Sequence, residues 1–113
     1  MVKEITDLQD VLNDLLPRDA ERIILEAGCG SATYINFGSK ARLVGIDISK
    51  KQLERNPVLS AKIQGDLETY QFPSGSFDVA ICWEVLEHLS RPRQALDNMV
   101  RCLRPGGYLL SPA

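Results

Sequence analysis

No uninterrupted apolar run in the 113-residue sequence exceeds five residues, Val79 to Trp83 being one of that length, against the roughly 20 that a helix needs to cross a bilayer. No membrane span is expected. The N-terminus, Met1-Val2-Lys3-Glu4-Ile5-Thr6-Asp7, places acidic residues where an export signal needs an apolar stretch. Cysteine is scarce and odd in number: Cys29, Cys82 and Cys102 stand in apolar or glycine-rich surroundings, with no Cys-x-x-Cys or His-x-His spacing. A disulfide framework and a metal site are therefore not expected, and reduced thiols in a cytoplasmic protein are. Basic residues are scattered, and 13 Lys and Arg against 15 Asp and Glu leave a net charge of −2. This is no footprint for a nucleic-acid backbone or an anionic membrane. No repeat or low-complexity segment occurs, and 44% hydrophobic with 25% charged residues is the composition of an ordinary globular domain. The length suits one domain over residues 1–113.

What is present alternates between helix-like and strand-like segments. Ile5, Leu8, Val11, Leu12, Leu15 and Leu16 recur at helical spacing, and Pro17 follows as a stop. The run from Arg22 to Glu26 is short, aliphatic and β-branched and ends in Gly28-Cys29-Gly30, the pattern of a buried parallel strand entering a glycine turn. Further strands are expected over Arg42–Asp47, Ala61–Gly65 and Phe77–Trp83, with a fifth beginning at Gly107. Ala95, Leu96, Met99, Val100 and Leu103 form an apolar helical stripe, with Ser90 and Pro92 at its start and Pro105-Gly106-Gly107 at its end. Ser31 to Lys40 leaves room for a short helix at most. Strand and helix in alternation predict an α/β, doubly wound, mostly parallel sheet between helical layers.

Carboxylates end three successive strands or turns in this arrangement: Glu26 just before Gly28-x-Gly30, then Asp47, then Asp66. Ligands of such sheets bind outside the carboxyl ends of the strands. Gly28 and Gly30 let a ligand approach the backbone, and Asp47 can accept from both hydroxyls of a ribose. The same aspartate also suits the N-terminus of a helix over Ser49–Arg55, and Asp66 suits the cap of a turn.

The ordered segments Leu25-Glu26-Ala27-Gly28-Cys29-Gly30, Val44-Gly45-Ile46-Asp47-Ile48-Ser49, Gly65-Asp66-Leu67-Glu68, Ser76-Phe77-Asp78-Val79 with Trp83-Glu84-Val85-Leu86-Glu87-His88-Leu89, and Leu103-Arg104-Pro105-Gly106-Gly107-Tyr108-Leu109 resemble the motifs of class I S-adenosylmethionine-dependent methyltransferases. The likeness is to the small-molecule group typified by ubiquinone and menaquinone biosynthesis. It implies S-adenosylmethionine as cofactor, with Glu26, Gly28, Cys29 and Gly30 near its methionine part and Asp47 on the ribose hydroxyls. It further implies Ile48 packed on adenine, Asp66 on the adenine amino group, Leu67 beside the ring, and Cys82 and Trp83 bordering the reacting methyl. The family also continues beyond a fifth strand, so the resemblance implies that the chain carries the N-terminal portion of the fold and leaves that strand as an open edge. Ala32 replaces a glycine found in many members.

A sulfonium methyl is already activated, so no elaborate catalytic set is required. His88, then Glu84, are the candidate bases for a hydroxyl or amine acceptor, Glu87 being a solvated neighbour. Cys29 and Cys82 are expected to pack rather than react, and Arg91, Arg93, Arg101 and Arg104 to form a wet face. The chain lacks an Asn/Asp-Pro-Pro-aromatic tetrapeptide after the fourth strand, the mark of methyltransferases acting on adenine amino groups or glutamine, which favours a small-molecule acceptor. Two alternatives stand beside this reading. A nicotinamide-dependent oxidoreductase would need a glycine at Thr33, and a non-catalytic nucleoside-binding module would need no acceptor.

Overall fold

The computed structural model describes residues 5–15, 21–33, 35–82 and 85–111. Five strands, β1 (Arg22–Ala27), β2 (Ala41–Asp47), β3 (Ala61–Gln64), β4 (Phe77–Cys82) and β5 (Leu103–Leu110), form one sheet in the order β3-β2-β1-β4-β5 with every pair parallel. Helices α1 (Ile5–Leu15), α2 (Lys50–Arg55) and α3 (Pro92–Cys102) and one 3-10 turn over Leu86–His88 complete it. The chain reverses direction across the sheet between β1 and β4. Such a switch opens a crevice at the carboxyl edge of the strands.

Alternation along β1 and β4 sends side chains to opposite faces and so makes two cores. Leu25, Ala27, Ala80 and Cys82 pack with Ile46 under Ala95, Met99 and Cys102 of α3. Ile24, Val79 and Ile81 pack with Leu43 under Leu12 of α1. Both faces of the central strands are covered, which is why their sequences read as continuous apolar runs. Tyr70, Phe72 and Phe77 pack in series, the first pair tilted and the second edge to face, with ring centroids 4.7 and 5.9 Å apart, and fasten the β3–β4 connection to the α3 side.

The doubly wound parallel architecture expected from the sequence is the one found. Several boundaries differ. The segment over residues 31–40, expected to hold a short helix at most, contains none among its described residues, Gly38 taking a positive φ of 88° there, so that point agrees. Val100 is exposed rather than part of the apolar stripe of α3. Leu16, Pro17, Trp83 and Glu84 lie outside the described residues. Helix α3 stops at Cys102 and β5 starts at Leu103, four residues before the expected Gly107. The reason is a wide bulge: Leu103 pairs with Phe77 and Tyr108 with Val79, so Arg104 to Gly107 oppose Asp78 alone.

That bulge gives Arg104 and Asp78 work that the sequence reading missed. The Asp78 carboxylate accepts the Ile23 amide of β1 at 2.8 Å and the Arg104 guanidinium at 3.1 and 3.2 Å, tying three strands at their N-terminal ends. Arg104 also donates to the Gly75 carbonyl at 3.3 Å, so it is a strut as well as the solvent-exposed residue expected. At Gly107 a Cβ would fall 2.8 Å from the Asp78 carbonyl oxygen, which backbone cannot yield. Asp78→Ala leaves the Ile23 amide without its acceptor and is expected to lower the unfolding free energy by about 1–3 kcal/mol in a denaturant melt. Glu54→Ala removes only the exposed 3.9 Å pair with Lys50 and is expected to change it by less than about 0.5 kcal/mol.

Candidate functional site

Strand β1 runs into a turn whose shape only glycine permits at two positions. Gly28 and Gly30 have φ of 64° and 61°, the left-handed region that side chains disfavour. A Cβ on Gly28 would also sit 2.6 Å from a Val85 methyl. The end of β2 supplies the partners of the turn. Ile46 accepts the Gly28 amide at 2.8 Å, and one Asp47 oxygen accepts the Gly30 amide at 2.9 Å. The other Asp47 oxygen accepts the Ser49 amide at 2.9 Å, and the Ser49 hydroxyl caps α2 through the Gln52 amide at 3.3 Å. Asp47 is thus a helix-entry carboxylate, as one reading of the sequence held. Each of its oxygens keeps a second lone pair.

The next wall follows β3. Asp66 accepts the Glu68 amide through its side chain at 2.9 Å, and its carbonyl accepts the amides of Thr69 and Tyr70 at 3.0 and 2.8 Å. This turn is clamped to α3 from below. The Asn98 amide donates to the carbonyls of Leu67 and Glu68, both at 3.0 Å, while its oxygen accepts Arg101 at 2.7 Å. The Glu68 carboxylate accepts the Arg91 amide at 3.1 Å at the start of α3.

Between these walls lies a cleft of about 400 Å³ lined by Gly28, Asp47, Ile48, Asp66, Leu67 and His88, among others, within the range of small-molecule sites. Its chemistry is divided: the acidic residues Asp47, Asp66 and Glu68 share its lining with Ile48, 71% exposed, and the buried Leu67. An aliphatic side chain that open at the mouth of a polar cleft suits a flat apolar ligand laid over it. One Asp66 oxygen receives no hydrogen bond from the described residues. Acceptor carboxylates beside aliphatic side chains fit a ligand that offers hydroxyl or amino donors next to a flat apolar ring.

The structure brings together six of the residues expected at the site and leaves others off its walls. Cys29, Cys82 and Gly30 do not line the cleft; Cys82 is fully buried at the end of β4 and Cys29 is buried in the turn. Burial, aided by the charges of Glu26 and Asp47, pushes the Cys29 thiol up to about 12. Burial likewise pushes Cys82 and Cys102 up to about 11, so all three are protonated packing groups. His88 stands exposed at the cleft, its Nε2 3.7 Å from Glu87. Glu26 also lies off the cleft walls and accepts the Thr33 hydroxyl at 2.9 Å.

Sequence reasoning missed the two asparagines that are the buried polar side chains among the described residues, Asn56 and Asn98. Asn98 interrupts the apolar face of α3 between Ala95 and Met99, which was a visible signal. Asn56 follows α2, where asparagine is a common helix terminator, so its position alone did not distinguish it. Among the described residues no cluster of His, Cys, Asp and Glu could hold a metal, and no helix is long and apolar enough to cross a membrane.

Burial raises Glu26 from 4.5 to about 7, the Thr33 hydroxyl opposing this in part. The folded chain then holds a proton that the unfolded chain releases between those values. Stability falls as pH rises from about 4.5 through about 7 and is level above. Glu26→Gln is expected to flatten this dependence and to melt higher than the parent at pH 8, as measured by thermal unfolding across the pH range.

A family model described as a methyltransferase domain matches residues 25–111. The mitochondrial ubiquinone biosynthesis O-methyltransferase of Schizosaccharomyces pombe is 33% identical over 99 residues, covering 77% of this chain and 36% of that protein. The 27-O-demethylrifamycin SV methyltransferase of Amycolatopsis mediterranei is 32% identical over 116 residues, covering 92% and 43%. The chain thus spans well under half the length of these two relatives. The crystal structure of YcgJ from Bacillus subtilis superposes with a TM-score of 0.72 at 24% identity, over 94% of this chain and 50% of that one, a likeness of fold. The matched span includes the glycine turn, both aspartates of the cleft and the β5 bulge, and the chain belongs to the methyltransferase domain family, within the class I S-adenosylmethionine-dependent methyltransferases.

Proposed function

We propose that this chain binds S-adenosylmethionine in the cleft between the glycine turn and the Asp66 turn and takes part in methyl transfer to a small-molecule acceptor. The observation that carries the reading is the convergence of Asp47, Asp66, Ile48 and Leu67 on one cleft beside Gly28. Asp47 offers its two remaining lone pairs to a vicinal diol, Asp66 accepts an amino group, and Ile48 and Leu67 take the two sides of a flat ring. Glu26, Cys29, Gly30, Cys82 and Trp83 complete the assignment toward the methionine part and the reacting methyl.

Bound there, S-adenosylmethionine supplies a methyl group already activated on sulfonium. The chain's own residues then orient the acceptor, exclude water and manage one proton. His88 is the residue to receive that proton, since its imidazole lines the cleft and faces solvent through which the proton can leave. Glu84 is the second candidate. Oxygen is the favoured acceptor atom, because the two relatives described above are named for O-methylation or for an O-demethylated substrate. Residues 1–113 serve as the cofactor-binding part, and a cytoplasmic location fits three protonated, unpaired thiols. The nicotinamide alternative loses its basis with the family assignment. A non-catalytic nucleoside-binding module is the second reading, since binding in the cleft described needs no acceptor.

Asp47→Ala removes both a ligand acceptor and the anchor of the Gly30 amide, and is expected to weaken S-adenosylhomocysteine binding by about 10- to 100-fold in calorimetry. His88→Ala is expected to lower kcat about 100-fold with small phenolic and alcohol acceptors while leaving KM for the cofactor little changed. Tight S-adenosylhomocysteine binding without turnover of any acceptor would favour the binding module.

A further inference from the structure

Behind the glycine turn, Asn56, Thr33 and Glu26 form a chain of hydrogen bonds with a fixed direction. The Asn56 oxygen accepts the Val58 amide at 3.1 Å; an amide nitrogen can only donate, so this bond settles which end of the side chain is oxygen. The Asn56 nitrogen must then donate in its other contacts, to the Gly30 carbonyl at 3.3 Å and to the Thr33 oxygen at 3.0 Å. With its oxygen engaged as acceptor, Thr33 directs its single proton to Glu26, 2.9 Å away. The donor end of this chain is fully buried, so solvent does not compete for it.

Resting on the cofactor reading above, we propose that Thr33 and Asn56 are positioning residues for Glu26: they hold its carboxylate in one orientation and favour its charged form at the end of β1, where it acts on the ammonium of the cofactor's amino-acid part. Glu26 stands two residues before Gly28, which lines the cleft, and the titratable group it acts on is the Cys29 thiol of the turn, on which Asp47 from the end of β2 and Lys62 of β3 act as well. Among the described residues no cation forms an ion pair with Glu26. Among the described residues the Thr33 hydroxyl is its side-chain hydrogen-bond partner, and a ligand ammonium would bring it an opposite charge that none of them supplies. The same Asn56 amide fixes the Gly30 carbonyl, so the shape of the turn and the state of Glu26 are governed from one buried point.

The test uses the full chain and two readouts. The first is the titration of the Glu26 carboxyl carbon by NMR without ligand, and the second is the affinity for S-adenosylhomocysteine from pH 5.5 to 9. In the parent chain, affinity is expected to rise as pH passes about 7, since S-adenosylhomocysteine carries the ammonium but no sulfonium. Thr33→Val keeps the shape and removes the proton, and should move both midpoints upward by about one pH unit; Thr33→Ser should restore them. Asn56→Ala should move them the same way, and Thr33→Val keeps the test decisive if that variant does not fold. Binding that weakens equally at all pH values in Thr33→Val, or parent affinity that does not change across the range, would overturn the positioning role. An unchanged affinity midpoint beside a shifted carboxyl titration would do so as well. A parent chain in which Glu26 titrates as described but S-adenosylhomocysteine binds at no pH would instead overturn the cofactor reading, and the role of the relay toward it.

Discussion

A parallel strand that ends in a tight turn leaves peptide groups without a ladder partner, and a buried peptide group without a partner costs about 1–3 kcal/mol. Everything at the carboxyl edge of this sheet is arranged around meeting that need for residues 28–30. The end of β2 meets most of it: the Ile46 carbonyl takes the Gly28 amide, and the Asp47 carboxylate takes the Gly30 amide while its other oxygen starts α2. Asn56, at the far end of the same helix, takes the Gly30 carbonyl. Turn, strand end and helix therefore hold one another, and Asp47 is held with a lone pair of each oxygen to spare.

The opposite wall repeats the device. Asn98 reaches from α3 to the two carbonyls beside Asp66, so each wall is fixed by one buried amide. Preorganisation of this kind lowers the ordering cost of binding. It also accounts for polar groups in an otherwise apolar interior: both asparagines satisfy carbonyls that no strand or helix can reach. The acidic residues are set apart by environment as well. Glu26 is raised to about 7 by burial, whereas Asp47 and Asp66 stand on the walls of the cleft among backbone donors.

The sheet, its order of elements and the positions of Gly28, Asp47 and Asp66 could be read from the sequence because each rests on a short local pattern, an aliphatic run, a glycine pair, a carboxylate closing a strand, whereas Ile48 and Leu67 were singled out only by the family resemblance. What could not be read depends on partners distant in sequence. Arg104 is an ordinary surface arginine until a bulge in β5 sets it against Asp78, 26 residues earlier. Asn98 is a polar interruption of a helix until its carbonyl partners, about 30 residues away, are known. Thr33 gained significance only from its bond to Glu26, and the start of β5 was misplaced because Pro105-Gly106-Gly107 reads as a helix end when it is the bulge itself.

Thermal unfolding of the full chain with and without S-adenosylhomocysteine tests whether the cleft bounded by Asp47 and Asp66 is a nucleoside cofactor site. Ligand at about 100 times its dissociation constant stabilises the folded state by roughly 2.7 kcal/mol, which in a domain of this size raises Tm by several degrees. A cooperative transition that rises with S-adenosylhomocysteine and not with NADH is the result this account predicts. A cooperative transition that S-adenosylhomocysteine leaves in place at every concentration would contradict it.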